Sequence, residues 1–141
     1  MDIFVFSREE IEAGVIVPSD YVVISIGDPD KPRARVKAEA GLRDVLYVAF
    51  RDAEPSPSAM VSAEAGPMTA AHAEAIRDFV RRHQGSVGAI VIHCEQGMSR
   101  SPAVAAAVSQ SLGLDYRRFF QMYAPNRHVY DLVMDAFERG K

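Results

Sequence analysis

The sequence has 141 residues, of which 48% are hydrophobic and 25% are charged, as in an ordinary globular protein. Its formal net charge of −3 at pH 7 predicts no nucleic-acid partner and no anionic membrane partner, because either calls for a basic surface. The single cysteine excludes an internal disulfide, and the acidic N-terminus is unlike a signal peptide. We therefore expect one domain over residues 1–141, located in the cytoplasm; the composition leaves the oligomeric state open.

Four short segments are rich in β-branched and aromatic residues and predict strands. They cover residues 3–6, 21–26, 45–50 and 87–93. The second and fourth are nearly continuous apolar runs, which is typical of strands that are covered on both faces.

Helix signals lie between and after these strands. Ser7 and Glu10 have the spacing of a capping box at the start of a short helix. Further helices are predicted from the cap Thr69 to about residue 82, over 101–112 with Pro102 in the first turn and Gly113 at the end, near 116–122 after the cap Asp115, and near 127–139 after the cap Asn126. On the third of these helices, the aromatic residues Tyr116, Phe119, Phe120 and Tyr123 are predicted to lie in the core.

Strands that alternate with helices, followed by a helical C-terminal third, predict an α/β fold. We expect a parallel-rich sheet of four to five strands with helices on its flanks. The eighteen residues between Phe50 and Thr69 are rich in proline and serine and show no clear period. A loop of this length inside a compact domain is usually functional or disordered, so this segment is a candidate lid.

The residues with the clearest chemistry follow the last predicted strand, in the run His93-Cys94-Glu95-Gln96-Gly97-Met98-Ser99-Arg100-Ser101-Pro102. The only cysteine stands at the carboxyl end of a buried strand, where open α/β sheets bind ligands. A short turn with Gly97 then leads into a helix. Successive backbone N–H groups in such a turn, together with the helix N-terminus, form an anion site, and we expect Glu95, Gln96, Gly97, Met98, Ser99 and Arg100 to surround a phosphate.

A thiol in this position is expected to ionise readily, and its thiolate can attack phosphorus to form a covalent intermediate. Arg100 lies six residues after Cys94 and offers a planar fork that suits two phosphate oxygens. Ser101 can donate its hydroxyl to the sulfur and so ease departure of the thiolate. Cys94, Arg100 and Ser101 are therefore catalytic candidates.

These residues resemble the His-Cys-x5-Arg-Ser/Thr signature of the protein tyrosine phosphatase superfamily, and the run from Gly97 to Pro102 is most similar to its dual-specificity branch and small bacterial relatives. A weaker similarity extends to Pro125 and Asn126, although Val129 and Leu132 stand where that branch usually has phenylalanine and glutamine. The resemblance implies a phosphatase-like fold and hydrolysis of phosphomonoesters, with protein phosphotyrosine as substrate and phosphoserine or phosphothreonine as further ones. It also implies that His93 supports the loop and that no metal or cofactor takes part.

The family also uses an aspartate general acid on a loop after an earlier strand, and Asp52 has the corresponding position. Asp28 and Asp30 also follow a strand and are the alternatives, although their neighbouring prolines suit a plain turn. Asp44 precedes its strand and is expected at the opposite edge of the sheet.

Two other functions fit a cysteine loop of this kind. One is a sulfurtransferase or arsenate reductase, and the other is an inactive phosphate-binding module. A highly anionic inositol lipid is disfavoured as substrate, because Glu95 and Gln96 stand where phosphoinositide phosphatases tend to carry lysine. The remaining histidines, His72, His83 and His128, lack the spacing of metal ligands and are interpreted as helix-surface residues.

Overall fold

The computed structural model describes residues 1–53 and 66–141, and the strands in these ranges form one parallel sheet. The strands are β1 (Asp2–Ser7), β2 (Tyr21–Gly27), β3 (Leu42–Ala49) and β4 (Ala89–Cys94). Their order across the sheet is β1-β4-β2-β3, so β4 and β2 are central. Nearly all residues of these two strands are buried, as their continuous apolar runs predict. The α/β fold class with a parallel sheet is confirmed.

Helices cover both faces of this sheet. They are α1 (Arg8–Ala13), α2 (Ala70–His83), α3 (Arg100–Ser111), α4 (Arg117–Met122) and α5 (Arg127–Arg139). Helix α1 packs on one face through Ile11, against Val23 and Val91 of the central strands. The other four helices contribute to the larger cluster on the opposite face, which includes Val22 and Ile24. The alternation of side chains along β2 therefore divides the core into two layers.

The predicted helix caps are present at α1, α2 and α5, with a change of partner at α2, whereas the cap residue of α4 is Tyr116 and not the predicted Asp115. Ser7 and Glu10 form the capping box at α1, and the side chain of Asn126 accepts a hydrogen bond from the backbone of α5. At α2, Thr69 is the cap residue, but its backbone N–H donates to Nδ1 of His72 (3.0 Å). These caps satisfy N–H groups that the first helical turn leaves without an intrahelical partner.

Helix α3 begins at Arg100, one residue before the predicted start, and lies against the sheet with residues 103–108 fully buried. Its alanines allow the helix to approach the sheet closely, because their side chains occupy little space. This close packing holds the start of α3, and with it Arg100, at the carboxyl edge of the central strands.

Strand β3 differs from its prediction, because it starts at Leu42 rather than Val45 and ends at Ala49 rather than Phe50. The charged residues Arg43 and Asp44 obscured its start in the sequence. β3 is one of the two edge strands of the sheet, and edge strands commonly carry charged residues. At its end, Phe50 leaves the strand and is fully buried. The carbonyl of Phe50 is thereby available to the site described below.

One further prediction is wrong in part, and another concerns residues outside the described ranges. Of the aromatic residues predicted as core, Phe119 is buried, whereas Tyr116, Phe120 and Tyr123 are only half-buried, because α4 is a short helix of six residues at the margin of the core. The predicted lid between Phe50 and Thr69 falls mainly on residues 54–65, which lie outside the described residues.

Candidate active site

The loop that joins β4 to α3 carries the predicted phosphate-binding residues. Cys94 is the last residue of β4 and Arg100 is the first residue of α3, a helix of 12 residues. The loop packs against the end of β1, where the backbone N–H of Arg8 donates to the carbonyl of Glu95 (3.0 Å). The predicted strand, turn and helix therefore follow one another directly, and the loop lies at a helix N-terminus that favours anions.

Gly97 gives this loop its sharp turn. Its φ of +72° lies in the left-handed region, and a Cβ there would stand 3.0 Å from backbone atoms of Phe6 and Ser7. Gly97→Ala is expected to lower the free energy of unfolding by about 1–3 kcal/mol, from backbone strain and the close contact with β1. Urea unfolding measures this change. Gly85→Ala is the matched control, because a Cβ there meets no atom within 4 Å; equal losses in both variants would contradict the argument.

The thiol of Cys94 lies at the base of the loop and is 3% exposed. Its Sγ accepts a hydrogen bond from the backbone N–H of Gly97 (3.2 Å) and lies 3.1 Å from Oγ of Ser101. Hydrogen bonds to sulfur stabilise a thiolate more than a thiol, because the charged acceptor is the stronger one. Ser101 is fully buried, so its hydroxyl is held close to the sulfur.

Arg100 is the other predicted end of the phosphate site and is only 4% exposed. Its Nη1 donates to Oδ1 of Asp28 (2.8 Å) and to the carbonyl of Phe50 (2.8 Å). Its Nε is buried and has no hydrogen-bond partner in the part of the chain that the structure describes. A buried donor without a partner is costly, so this N–H is suited to an anionic ligand.

The three candidate acids have different surroundings. Asp28 is paired with Arg100 and also lies 3.4 Å from Nζ of Lys31. Asp30 is exposed and lies 3.4 Å from a guanidinium nitrogen of Arg51. Asp28 and Asp30 are therefore both engaged with cations.

Asp52, the first choice as general acid, lies beside the phosphate loop and is exposed. Its Oδ1 accepts hydrogen bonds from Oγ of Ser99 (2.8 Å) and from Nδ2 of Asn126 (2.9 Å). Asp52 lines the same cavity as Cys94. Asn126 is 8% exposed and caps α5, so it ties the acid candidate to a fixed part of the core. The sequence predicted Asn126 as a helix cap, but it gave no sign of the contact between Asn126 and Asp52.

A cavity of about 430 Å³ brings most of these residues together. Its lining includes Asp52, Cys94 and Arg100. From the loop it also takes Glu95, Gln96, Met98 and Ser99, whereas Gly97, His93 and Ser101 are buried behind it. Lys31 and Arg51 line the cavity as well, although neither was predicted as a site residue from the sequence. One indication of them was present in the sequence, because each lies in a segment that follows a strand and contains a candidate acid.

His93 lies beneath the loop and is 1% exposed. Its Nδ1 is 3.2 Å from the carbonyl of Cys94, which can only accept, so Nδ1 carries the proton. Nε2 therefore accepts from the hydroxyl of Ser25 (2.6 Å). Burial lowers the pKa of His93, which keeps the ring neutral. Ser25 thus orients His93 across the sheet, a role for which the sequence held no signal.

The other histidines lie on helices, as interpreted from the sequence, but they are half-buried and have partners rather than being freely exposed. Nε2 of His83 lies 2.9 Å from Oδ2 of Asp44, and Nε2 of His128 lies 2.8 Å from the carbonyl of Met68. His72 packs on the ring of Phe50. No group of three or more potential ligands that could hold a metal ion occurs in the described residues.

The half-buried ring of His72 makes stability depend on pH. Burial lowers the pKa of His72 below its usual 6.5, so the unfolded chain binds more protons than the folded chain at mildly acidic pH. The free energy of unfolding is therefore expected to fall as the pH drops below about 6.5. In His72→Gln this loss of stability should be smaller, because the half-buried imidazole that takes up the proton on unfolding is absent. Urea unfolding at several pH values tests this; identical pH slopes in both proteins would contradict it.

None of the helices in the described residues is both long enough and apolar enough to cross a membrane.

Solved structures provide matches to this fold. Human DUSP28 has a TM-score of 0.52 and 22% sequence identity, over 97% of this chain and 92% of that chain. The human tyrosine phosphatase-like serine/threonine/tyrosine-interacting protein has a TM-score of 0.51 and 17% identity, over 85% of this chain and 78% of that chain. PTPMT1, in a structure with PI(5)P, has a TM-score of 0.50 and 13% identity, over 84% and 76% of the two chains.

No family model matches the sequence, and no curated protein matches it either. The structural matches extend over most of this chain and include the dual-specificity type to which the run after His93 is similar. At these low sequence identities, the matches show that the backbone folds are similar and nothing more specific. The chain therefore shares its fold with these solved structures, which include DUSP28 and a tyrosine phosphatase-like protein.

Proposed function

We propose that this protein hydrolyses phosphomonoesters through a cysteinyl-phosphate intermediate, with protein phosphotyrosine as its main substrate and phosphoserine or phosphothreonine as further ones. The observation that carries the proposal is that the thiol of Cys94 and the guanidinium-bearing residue Arg100 line the same cavity. A buried thiol with two hydrogen-bond partners lies at its base, and the buried Nε of Arg100 has no partner among the described residues. A nucleophile and an anion clamp at one helix N-terminus suit attack on a phosphate.

In the first step, the thiolate of Cys94 attacks phosphorus and the bond to the leaving oxygen breaks. Arg100 binds the oxygens of the transferring phosphoryl group, together with the backbone of residues 95–99, and Asp52 gives a proton to the leaving oxygen. In the second step, water attacks phosphorus while Asp52 takes its proton. The bond to sulfur breaks, and the hydroxyl of Ser101 stabilises the departing thiolate. The proposed chemistry needs no metal and no cofactor.

Asp52 is proposed as the acid because it lines the cavity and is held there by the neutral donors Ser99 and Asn126, whereas Asp28 forms an ion pair with Arg100. Asp52→Asn is expected to lower kcat by about a hundredfold for an ester with a poor leaving group, such as phenyl phosphate. The loss should be much smaller for para-nitrophenyl phosphate, because its leaving group needs little protonation. Asp28→Asn is expected to lower kcat similarly for both esters. A loss that depends on the leaving group in Asp28→Asn, but not in Asp52→Asn, would make Asp28 the acid.

The alternative functions predict different assay results. A sulfurtransferase or arsenate reductase would act on thiosulfate or arsenate and not on phosphate esters, and a phosphate-binding module would bind phosphate without turnover. The carboxylate of Asp52 in the cavity and the hydroxyl of Ser101 beside the sulfur favour hydrolysis, since an acid for the leaving oxygen and a donor to the departing thiolate are what its two steps need. A cytoplasmic location and the absence of nucleic-acid partners stay predictions from the sequence.

The proposed function is tested by assaying the purified protein in EDTA with para-nitrophenyl phosphate, a phosphotyrosine peptide and the matching phosphoserine peptide. We expect turnover of the first two without added metal, and acid quenching should trap phosphate on the peptide that contains Cys94. If the folded protein turns over none of these esters, the proposed function is wrong. Turnover that requires a metal ion would contradict the mechanism.

A further inference from the structure

An acidic side chain lies in the loop that is proposed to bind phosphate. Glu95 directly follows Cys94 and lines the cavity that contains the thiol. A carboxylate at this position repels a phosphate ligand and disfavours the thiolate, because like charges oppose each other over short distances. A phosphate site with this loop therefore needs a group that offsets the charge of Glu95.

Arg8, the first residue of α1, contacts Glu95 twice. In the parallel pairing of β1 with β4, Ser7 lies beside Cys94, so Arg8 comes next to residue 95. The backbone N–H of Arg8 donates to the carbonyl of Glu95 (3.0 Å), and its Nη1 donates to Oε1 of Glu95 (3.1 Å). Only 23% of the Arg8 side chain and 24% of the Glu95 side chain are exposed. An ion pair shielded in this way is screened less by solvent and salt than a pair on an open surface.

Further partners fix the guanidinium of Arg8. Its Nε donates to Oε2 of Glu12 (3.3 Å), and its Nη1 and Nη2 donate to the carbonyls of Pro32 (3.0 Å) and Arg33 (3.2 Å). A guanidinium held by these acceptors keeps one orientation, so the ion pair with Glu95 loses little side-chain entropy when it forms. The helix itself does not favour a cation at this position, because the dipole at a helix N-terminus favours an acidic residue. The contacts outside α1 therefore account for an arginine here.

The charges of Arg8 and Glu95 also oppose each other at the base of the loop. Burial is the main cause of the lowered pKa of His93, which lies beneath the loop, whereas the charge of Glu95 raises this pKa and the charge of Arg8 lowers it. The two side chains thus act on the region under Cys94 with opposite signs. With both present, the loop carries less net negative charge than it would with Glu95 alone.

We propose that Arg8 is a positioning residue of the phosphate site, which offsets the charge of Glu95 so that the loop accepts a phosphate beside the thiolate of Cys94. This inference rests on the phosphate site of the proposed function and adds a residue to it. Arg8 does not line the cavity of Cys94 and therefore acts through Glu95. A purely structural role, in which Arg8 only holds α1 to the segment around Pro32, would not depend on Glu95.

The test is a double-mutant cycle of Arg8→Gln and Glu95→Gln. In Arg8→Gln, the carboxylate of Glu95 loses its cationic partner, and we expect the Kd of inorganic phosphate, measured by calorimetry, to rise by roughly threefold to tenfold. The rate at which iodoacetamide alkylates Cys94 at about pH 6 should fall by a similar factor, because a nearby negative charge reduces the thiolate fraction. Neither measurement requires turnover.

The double variant should recover most of both losses, because no carboxylate is then left to repel the anion. Glu95→Gln alone should bind phosphate more tightly than wild type, since Arg8 keeps its charge without an acid in the loop. Arg43→Gln is the matched control. Arg43 forms an ion pair with Asp20 (2.9 Å) at an exposed position and does not line the cavity, so neither quantity should change by more than about twofold.

Equal losses in Arg8→Gln and in the double variant overturn this inference, because they show that Arg8 acts on the fold and not through Glu95. Unchanged phosphate binding and alkylation in Arg8→Gln overturn it as well. If Arg8→Gln does not fold, Glu95→Gln decides the question: tighter phosphate binding than in wild type supports the inference, and equal or weaker binding overturns it. A wild-type protein that binds phosphate but does not hydrolyse para-nitrophenyl phosphate would instead contradict the proposed function.

Discussion

Replacing Cys94 with serine is expected to reduce hydrolysis of para-nitrophenyl phosphate by at least about a thousandfold. A serine hydroxyl has nearly the same size as the thiol and keeps the polar contacts to Gly97 and Ser101. It does not ionise near neutral pH, however, so it cannot attack phosphorus as the thiolate does. The variant therefore removes the nucleophile while it preserves the phosphate site.

The measurement compares initial rates of wild type and Cys94→Ser in EDTA, together with binding of inorganic phosphate by a shift in Tm. Binding should persist in the variant, because Arg100 and the loop backbone are unchanged. Retained binding with lost turnover separates a chemical effect from unfolding. If Cys94→Ser hydrolyses the ester at a rate near that of wild type, the proposed nucleophile is wrong.

Replacing Arg100 with lysine is expected to lower kcat/KM by about a hundredfold to a thousandfold, although the positive charge is retained. The guanidinium of Arg100 bonds to Asp28 and to the carbonyl of Phe50 through Nη1 and leaves Nε for the ligand. A lysine has one donor atom and cannot reach these two partners and a phosphate oxygen at once. The loss should include kcat, because the clamp is strongest when charge develops on the equatorial oxygens.

Steady-state kinetics with para-nitrophenyl phosphate measure this effect, with Arg82→Lys as control. Arg82 lies on the exposed face of α2, far from the cavity lining, and the same replacement there should leave kcat/KM within about twofold. If Arg100→Lys keeps the kcat of wild type and changes only KM, Arg100 binds the ground state without assisting the chemical step.

Several parts of this protein were predictable from short stretches of the sequence. The runs that form β2 and β4 are buried on both faces because apolar, β-branched segments of that length are most stable inside a parallel sheet. The capping box of Ser7 and Glu10 was visible because capping involves residues three apart. The spacing from Cys94 to Arg100 was informative for the same reason, since a strand end, a turn and a helix start lie within a few residues.

The tertiary structure alone decided which distant side chains meet at this loop. Asp28 reaches Arg100 from 72 residues away, Asn126 reaches Asp52 from 74, and Ser25 reaches His93 from 68. These contacts depend on the strand order β1-β4-β2-β3, which brings the carboxyl ends of β2, β3 and β4 to one edge. Local periodicity carries no information about that order, because it is set by how the helices and strands pack over the whole chain. The sequence therefore determined the loop that carries Cys94 and Arg100, whereas packing decided which charges surround it.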